Sequence, residues 1–421
     1  MIADALRDAG HEVAWYSGSC VRAHIQARGY RVYGIQHAFD YDGENPNAMF
    51  PERNGLTGVA DLKFILKRVF AAGMVGQAKD LEAILQAFPA DVLLADFVTF
   101  GPRVISERGG PPWAAYGFSA LPLSSVDTAP YGLGLAPHSS FWGRLRNRSL
   151  NTLVKRVVMG DVVREHDHMR AQCGLPPIDA GPTDSPLSPY LFLQGSVAAF
   201  EYPRSDLPPQ VHFVGALTPK LPQGAADASR MRPQWWPELT GRRRPVVLVT
   251  QGTMDNKDLS ELIAPALQAL AQDDVLVIAT TGRELRPGEL GAIPANARVE
   301  RFVPYHEVLP HVDVMVSNGG YNGVLTALGN GVPLVVCGAQ SDKPEICARV
   351  QWSGSGVRIK AERVTPAQVR DAVHHVLRNP TFKQRAMALR EAFGAADAGP
   401  ACVNLMEELG RTRKPVLREL R

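Results

Sequence analysis

Apolar residues at the start of the chain fall at helical spacing: Ile2, Ala3, Ala5, Leu6 and Ala9, with Gly10 as a natural stop. His11 to Tyr16 (HEVAWY) then reads as a strand. Asp91 to Asp96 (DVLLAD) is a short apolar run bounded by turn signals, the pattern of a buried parallel strand. A short helix is predicted over 103–109, a strand from Pro112 to Phe118 and a helical pattern over 146–172. Between them, 120–140 is rich in Pro, Gly and Ser and predicts a long loop, which in compact domains tends to carry function. Strands alternating with helices give βαβ units and a parallel sheet. A domain of that kind opening on a helix, with no strand in front, is expected to have a gap in its sheet.

Pro-rich stretches at 203–209 and 218–237 mark a linker, after which the alternation restarts. Val246 to Thr250, Val275 to Ala279, Ala297 to Phe302, Val312 to Val316 and Leu334 to Val336 are strand candidates. Helices are expected up to about Ala271, after Gly320 and over 366–377. The expected organisation is a first domain over 1–215, a linker over 216–240, a second domain over 241–395 and a tail over 396–421 that packs back on the first. Two doubly wound α/β domains facing one another would enclose a cleft lined by the C-terminal ends of both sheets.

Composition narrows the function. The 421 residues carry 45 Lys+Arg against 42 Asp+Glu, a near-balance that gives no electrostatic case for nucleic acid. The five cysteines (Cys20, Cys173, Cys337, Cys347, Cys402) show no metal-ligand or disulfide spacing, so reduced thiols in a cytoplasmic protein are expected. No apolar run approaches the roughly 20 residues that span a bilayer. The N-terminus lacks the basic and then apolar regions of a signal peptide.

Three glycine-bearing turns of the second half should converge, because each follows a strand: Gln251-Gly252-Thr253, Thr281-Gly282 and Ser317 to Gly323. Glycines let the backbone approach an anion, and a helix N-terminus favours negative charge. Thr253, Ser317, Asn318 and Asn322 can donate to phosphate oxygens, and Asp342 and Lys343 follow a short strand where a polar pair could meet sugar hydroxyls. There is neither a P-loop nor a GxGxxG fingerprint, which disfavours ATP hydrolysis and nicotinamide chemistry.

Residues 302–343, FVPYHEVLPHVDVMVSNGGYNGVLTALGNGVPLVVCGAQSDK, resemble the donor-binding signature of family 1 nucleotide-sugar-dependent glycosyltransferases of the GT-B fold. The likeness extends to ADALRDAGHEV, DVLLAD, FEYPRSDLPPQVHFVG and VLVTQGT. It implies that Phe302 stacks on the nucleotide base and that the Val303 backbone reads the base edge. Ser317, Asn318, Gly320, Asn322 and Gly323 would line the diphosphate cradle, with Gly252 and Thr253 beside it. Tyr321 would face the sugar, and Asp342 and Lys343 would hold its hydroxyls. Asn318 stands where the family has a histidine, and Thr326 where a glutamate grips the ribose, which leaves room for a thymidine as well as a uridine donor. No metal or bound cofactor is expected, since amides and a helix dipole face the diphosphate.

On the catalytic side the family uses a histidine in the loop after its first strand, oriented by an aspartate that Asp96 matches. That strand and histidine are not in this sequence, which begins inside the following helix, and His11 does not match. The expectation is a start site placed too late, poor catalysis by the chain as it stands and an unstable first domain. His37, His138, His166 and His168 lie in acceptor-side segments, where one could act as a substitute base. Phe97, Phe118, Asp127 and Tyr131, with Leu133, Phe39 and Tyr41, would bind a lipophilic polyketide, macrolide or flavonoid. The reading is an inverting hexosyltransferase acting as a monomer or homodimer. A catalytically impaired or non-catalytic relative that binds nucleotide sugar or acts as an auxiliary partner, and a GT-B epimerase, are its rivals.

Overall fold

The computed structural model describes residues 1–41, 49–218, 232–241, 243–253, 256–286, 288–361 and 363–419. Most of the expected linker lies outside the described residues. Among the described residues no helix is long and apolar enough to cross a membrane.

The first half contains α1 (Ile2–Asp8), β1 (Ala14–Ser17), α2 (Ser19–Ala27), β2 (Arg31–Gly34), α3 (Gly58–Phe64), α4 (Ala72–Ala87), β3 (Leu93–Asp96), α5 (Gly101–Glu107) and β4 (Trp113–Gly117). It continues through α6 (Phe141–Leu153), α7 (Gly160–Gln172), β5 (Leu191–Gln194) and β6 (Val211–Phe213). β1 and β2 form a two-stranded parallel sheet, β3 to β6 form a second one, and no described strand joins β1 to β3. β1 is half-buried along its length and the edge strand β3 nearly so, whereas β5, paired on both sides, is wholly buried.

The second half contains α8 (Trp236–Thr240), β7 (Val246–Thr250), α9 (Ile263–Leu270), β8 (Leu276–Thr280), β9 (Ala297–Glu300), α10 (Tyr305–Val308), β10 (Val314–Ser317) and α11 (Tyr321–Gly329). Then come β11 (Leu334–Cys337), α12 (Lys343–Trp352), β12 (Gly356–Ile359), α13 (Pro366–Arg378), α14 (Pro380–Gly394) and α15 (Ala398–Thr412). Its six strands form one parallel sheet in the order β12-β11-β10-β7-β8-β9. Alternate side chains enter separate cores on the two faces: Leu248, Ile278 and Met315 on one, Val247, Val277 and Val314 on the other. A sheet covered on both faces needs such continuous apolar strands. Helix α15 leaves this half and packs Cys402, Met406 and Leu409 against Ala114, Leu191 and Leu193 of the first sheet.

No helix or strand interrupts 120–140, as the Pro/Gly/Ser pattern predicts. The helical pattern over 146–172 is two helices with a π-helical segment, Val154–Val158, between them. The sequence pattern missed β2, β5, β6 and β12, which are only three or four residues long and give little periodicity to read.

Candidate donor and acceptor site

In a parallel sheet every strand points the same way, so the turns after β7, β8, β9, β10 and β11 share one edge. These turns are stitched together. Asn318 Nδ2 donates to the Gln251 carbonyl at 2.6 Å, linking the β10 and β7 turns. Asn256 Nδ2 donates to the Gly252 and Thr281 carbonyls at 3.2 and 2.9 Å, linking β7 to β8. The Gly282 amide donates to the Arg301 carbonyl at 2.9 Å, linking β8 to β9. Gly282 has φ +67°, and a Cβ there would meet the Gly252 carbonyl oxygen at 2.5 Å. Only glycine permits that approach.

The ribbon so formed begins at Asp342 and Lys343, after β11, and ends at Phe302 and Val303, after β9. Four strand spacings separate its ends, about 19 Å at ~4.8 Å each, a length that suits an elongated ligand. At the centre sits α11. Its N-cap is Gly320, no side chain caps it, and its first-turn amides have no partner within the helix. The macrodipole adds partial positive charge there. Asn322 and Thr253 are exposed beside it, Gly323 is half-buried, and the Ser317 hydroxyl is buried and accepts from the Gly319 amide. Phe302 is 52% exposed, with the Arg301 guanidinium 5.2 Å from its ring centre, whereas Val303 is buried.

Three side chains singled out from the sequence are engaged within the protein. Tyr321 does not face the ribbon: its ring is buried, and its hydroxyl accepts from Gln194 Nε2 at 3.1 Å, across the boundary between the halves. Thr326 spends its hydroxyl on the Asn322 carbonyl of its own helix at 2.6 Å. Asp127 is buried, accepting from Arg144 Nε at 2.8 Å and from the Ser205 amide and hydroxyl at 2.7 Å each. Burial alone would raise its pKa, yet those bonds hold the carboxyl below its usual range. It ties the 120–140 loop to α6 and to Ser205.

The turn after β4 reaches this ribbon. Ser119 Oγ donates to Asp342 Oδ2, and the Tyr131 hydroxyl lies 3.2 Å from the same Oγ. Glu345, in the first turn of α12, accepts from the Gly132 and Gly134 amides at 2.9 and 2.8 Å. Arg349, one turn on, bonds Glu201 at 2.7 Å and Glu345 at 2.9 Å, and Glu201 accepts from the Leu121 amide at 3.0 Å. A buried Glu201–Arg349–Glu345 triad thus clamps the loop of one half to a helix of the other. The sequence signal for it was the Glu345/Arg349 spacing of four in a helix, which places both on one face.

Asp96 ends β3 at the first half's C-terminal edge. Its Oδ1 accepts from the Val98 amide at 3.0 Å and the Thr99 hydroxyl at 2.8 Å, and no described imidazole bonds to it. Burial pushes its carboxyl up, opposed by those hydrogen bonds. Phe97 and Phe118 meet with ring planes tilted by 40° and centres 4.8 Å apart, and Phe118 and Phe39 are exposed at 45% and 42%. Apolar surface therefore lies open along this edge, beside the turn that meets Asp342.

Comparison with known proteins bears on this geometry. A family model described as the C-terminal domain of an erythromycin biosynthesis protein CIII-like group matches residues 264–409. The chain is 46% identical over 97% of its length, and 95% of the relative's, to 4'-demethylrebeccamycin synthase of Lentzea aerocolonigenes. It is 34% identical to UDP-glycosyltransferase 2 of Phaeomoniella chlamydospora, over 96% and 90% of the two chains. In fold it is similar to the glycosyltransferase VinC in complex with DTDP, with a TM-score of 0.68, 20% identity and coverage of 97% and 95%. With two facing α/β units and near full-length likeness to these enzymes, the chain belongs to the family 1 glycosyltransferases of GT-B fold.

Proposed function

We propose that the chain transfers a hexose from a UDP- or TDP-sugar to a hydroxyl of a small lipophilic acceptor of polyketide, macrolide or flavonoid type, with inversion. The stitched ribbon of turns carries this reading. The base would lie on Phe302, the diphosphate over the α11 N-terminus, and the sugar at Asp342 and Lys343. The acceptor would enter along Phe39, Phe97 and Phe118, opposite the leaving diphosphate, and an attack from that side inverts the anomeric carbon. As the glycosidic bond breaks, negative charge grows on the diphosphate, where uncapped amides are already aimed. A thymidine donor is consistent with Thr326, whose hydroxyl offers no bidentate acceptor to a ribose 2′-hydroxyl. The names of the relatives agree with both nucleotides.

Titration calorimetry with TDP and UDP, followed by transfer assays with phenolic and macrolide acceptors, tests the reading. Binding of one diphosphate and formation of a glycoside of inverted configuration are expected. Failure to bind either nucleotide would overturn it. A second reading, a nucleotide-sugar-binding relative without turnover, is favoured by one observation: Asp96 turns its carboxylate onto its own loop and meets no imidazole among the described residues. Tight nucleotide binding with no glycoside formed from any acceptor would select that reading.

A further inference from the structure

Helix α6 (Phe141–Leu153) buries its polar side and turns its apolar side outward. At about 100° per residue its positions divide into two arcs. The inner arc holds Gly143, Arg144, Asn147, Leu150 and Asn151, each buried or half-buried. Asn147 is fully buried and donates to the Val126 and His138 carbonyls at 3.1 and 3.4 Å. Asn151 donates to the Ser125 and Thr128 carbonyls at 3.2 Å each, and Arg144 is the ion-pair partner of Asp127. A Cβ on Gly143 would meet the His138 carbonyl oxygen at 2.5 Å, so the helix backbone rests directly on the 120–140 loop. Hydrogen bonds to that loop, more than an apolar core, hold α6 in place.

The outer arc spans about 160° and carries Phe141, Trp142, Leu145 and Leu153, with Arg146 and Arg148 among them. Phe141 and Trp142 are each 74% exposed, and their rings meet edge-on at 5.3 Å as one protruding cluster. Leu145 and Leu153 are about half exposed, and the π-helical segment that follows adds exposed Val157 and Arg156. From Phe141 to Val158 the chain has five cations, Arg144, Arg146, Arg148, Lys155 and Arg156, and no acid. Asp127 and Asp179 pair with Arg144 and Lys155. Arg146, Arg148 and Arg156 form no ion pair among the described residues, and Arg146 bonds only the neutral Asn147 amide oxygen.

Contiguous apolar surface of this kind marks an interaction site. The charge on it selects the occupant. A second copy docked two-fold would bring the three unpaired guanidiniums against their own mates, and like charges would oppose it. An anionic lipid surface is complementary in both respects. Aromatic rings settle at the boundary between headgroups and acyl chains, aliphatic side chains enter beside them, and guanidiniums meet the lipid phosphates and carboxylates.

We propose that α6 and the π-helical segment after it dock this protein on an anionic membrane surface, lying in the interface rather than crossing it. The inference goes beyond the transfer reading and stands without it. Docking would set the 120–140 loop, to which α6 is bonded, beside the lipid, where lipophilic compounds partition.

The test is co-sedimentation of the full chain with vesicles of phosphatidylcholine alone and of phosphatidylcholine with phosphatidylserine, at low and high salt. Variants are Phe141→Ser with Trp142→Ser, and Arg146→Gln, Arg148→Gln and Arg156→Gln together, each checked by melting. The wild type should bind the anionic vesicles, more weakly as salt rises, and leave phosphatidylcholine largely free. Losing three surface cations should lower partitioning roughly 100-fold, and losing the two rings at least about 10-fold. Tryptophan emission should shift to shorter wavelength on binding, and Trp142→Phe should abolish that shift while still sedimenting. A shift that persists in Trp142→Phe would overturn α6 as the docking element, as would undiminished binding by the folded triple variant. Wild-type protein that ignores anionic vesicles yet binds poly-glutamate would overturn the proposal in favour of an acidic protein surface. No vesicle binding, with a dimer that Trp142→Ser dissociates, would overturn it in favour of a second copy.

Discussion

The second sheet runs unbroken through six strands, with β7, β8, β10 and β11 buried along their whole length, whereas the first is divided between β1–β2 and β3–β6. The difference extends to chemistry. The edge of the second sheet, where we propose the donor lies, is built largely from backbone: glycine turns and a helix N-terminus without a side-chain cap. The facing edge of the first half is built from side chains on loops, exposed rings and an imidazole held by one buried acid. A backbone site tolerates few substitutions where strands pack closely, while a side-chain site can lose one member and keep its fold.

The junction between these halves offers the largest test. Arg349→Ala would strand Glu201 and Glu345 as buried, unpaired acids, an outcome that typically costs about 3–5 kcal/mol. A fall in melting temperature together with a higher donor KM should be seen by calorimetry and kinetics. Unchanged stability would show that the triad does not hold the loop to α12.

On the donor side, a Cβ at Gly338 would meet the Asn318 carbonyl oxygen at 2.4 Å and Lys343 Cβ at 2.7 Å. Crowding of that kind costs about 1–3 kcal/mol, and here it would displace the 317–323 turn. Gly338→Ala should therefore weaken TDP or UDP binding more than tenfold by titration, with the first half's melting unaffected. Phe302→Ala should weaken nucleotide binding by about 1–3 kcal/mol, the range for a base stacked on an aromatic ring. Equal affinity in both proteins would move the base elsewhere.

Two carboxylates of the first half should respond to pH in opposite directions. Asp80 is depressed to about 2 against 3.8 for the free group, so its contribution is present above about pH 4 and is lost as pH falls toward 2. Asp96 is raised above 3.8, so ionising it costs stability, and that cost grows as pH rises through the interval above 3.8. Asp96→Asn should melt no lower than the wild type at pH 7 while turnover falls with little change in donor affinity. Loss of donor affinity would contradict its placement on the acceptor side.

Much of the donor half was legible because buried parallel strands write themselves as VVLVT or VLVIA, and because glycines after them mark turns with special geometry. The convergence of Gly252, Gly282 and Ser317 to Gly323 follows from strand direction alone. The direction of Tyr321 and the partners of Asp127 did not follow. Both depend on partners far off in sequence, Gln194 of the facing half in one case and Ser205 of the same half in the other, and no local pattern encodes that. Asp80 was invisible for a related reason: an acid within AGMVGQAKDLEAIL reads as a solvated helix position until the fold places Tyr16 and His37 over it.

The central claim is that an elongated nucleotide lies along the second sheet's C-terminal edge with its diphosphate on the α11 N-terminus. Amide hydrogen exchange with and without saturating TDP or UDP tests it directly. Protection is expected at the 251–253, 281–282, 301–303 and 317–323 turns, strongest at 320–323. Protection confined to other segments, or nucleotide binding that leaves 320–323 exchanging as in the free protein, would contradict it.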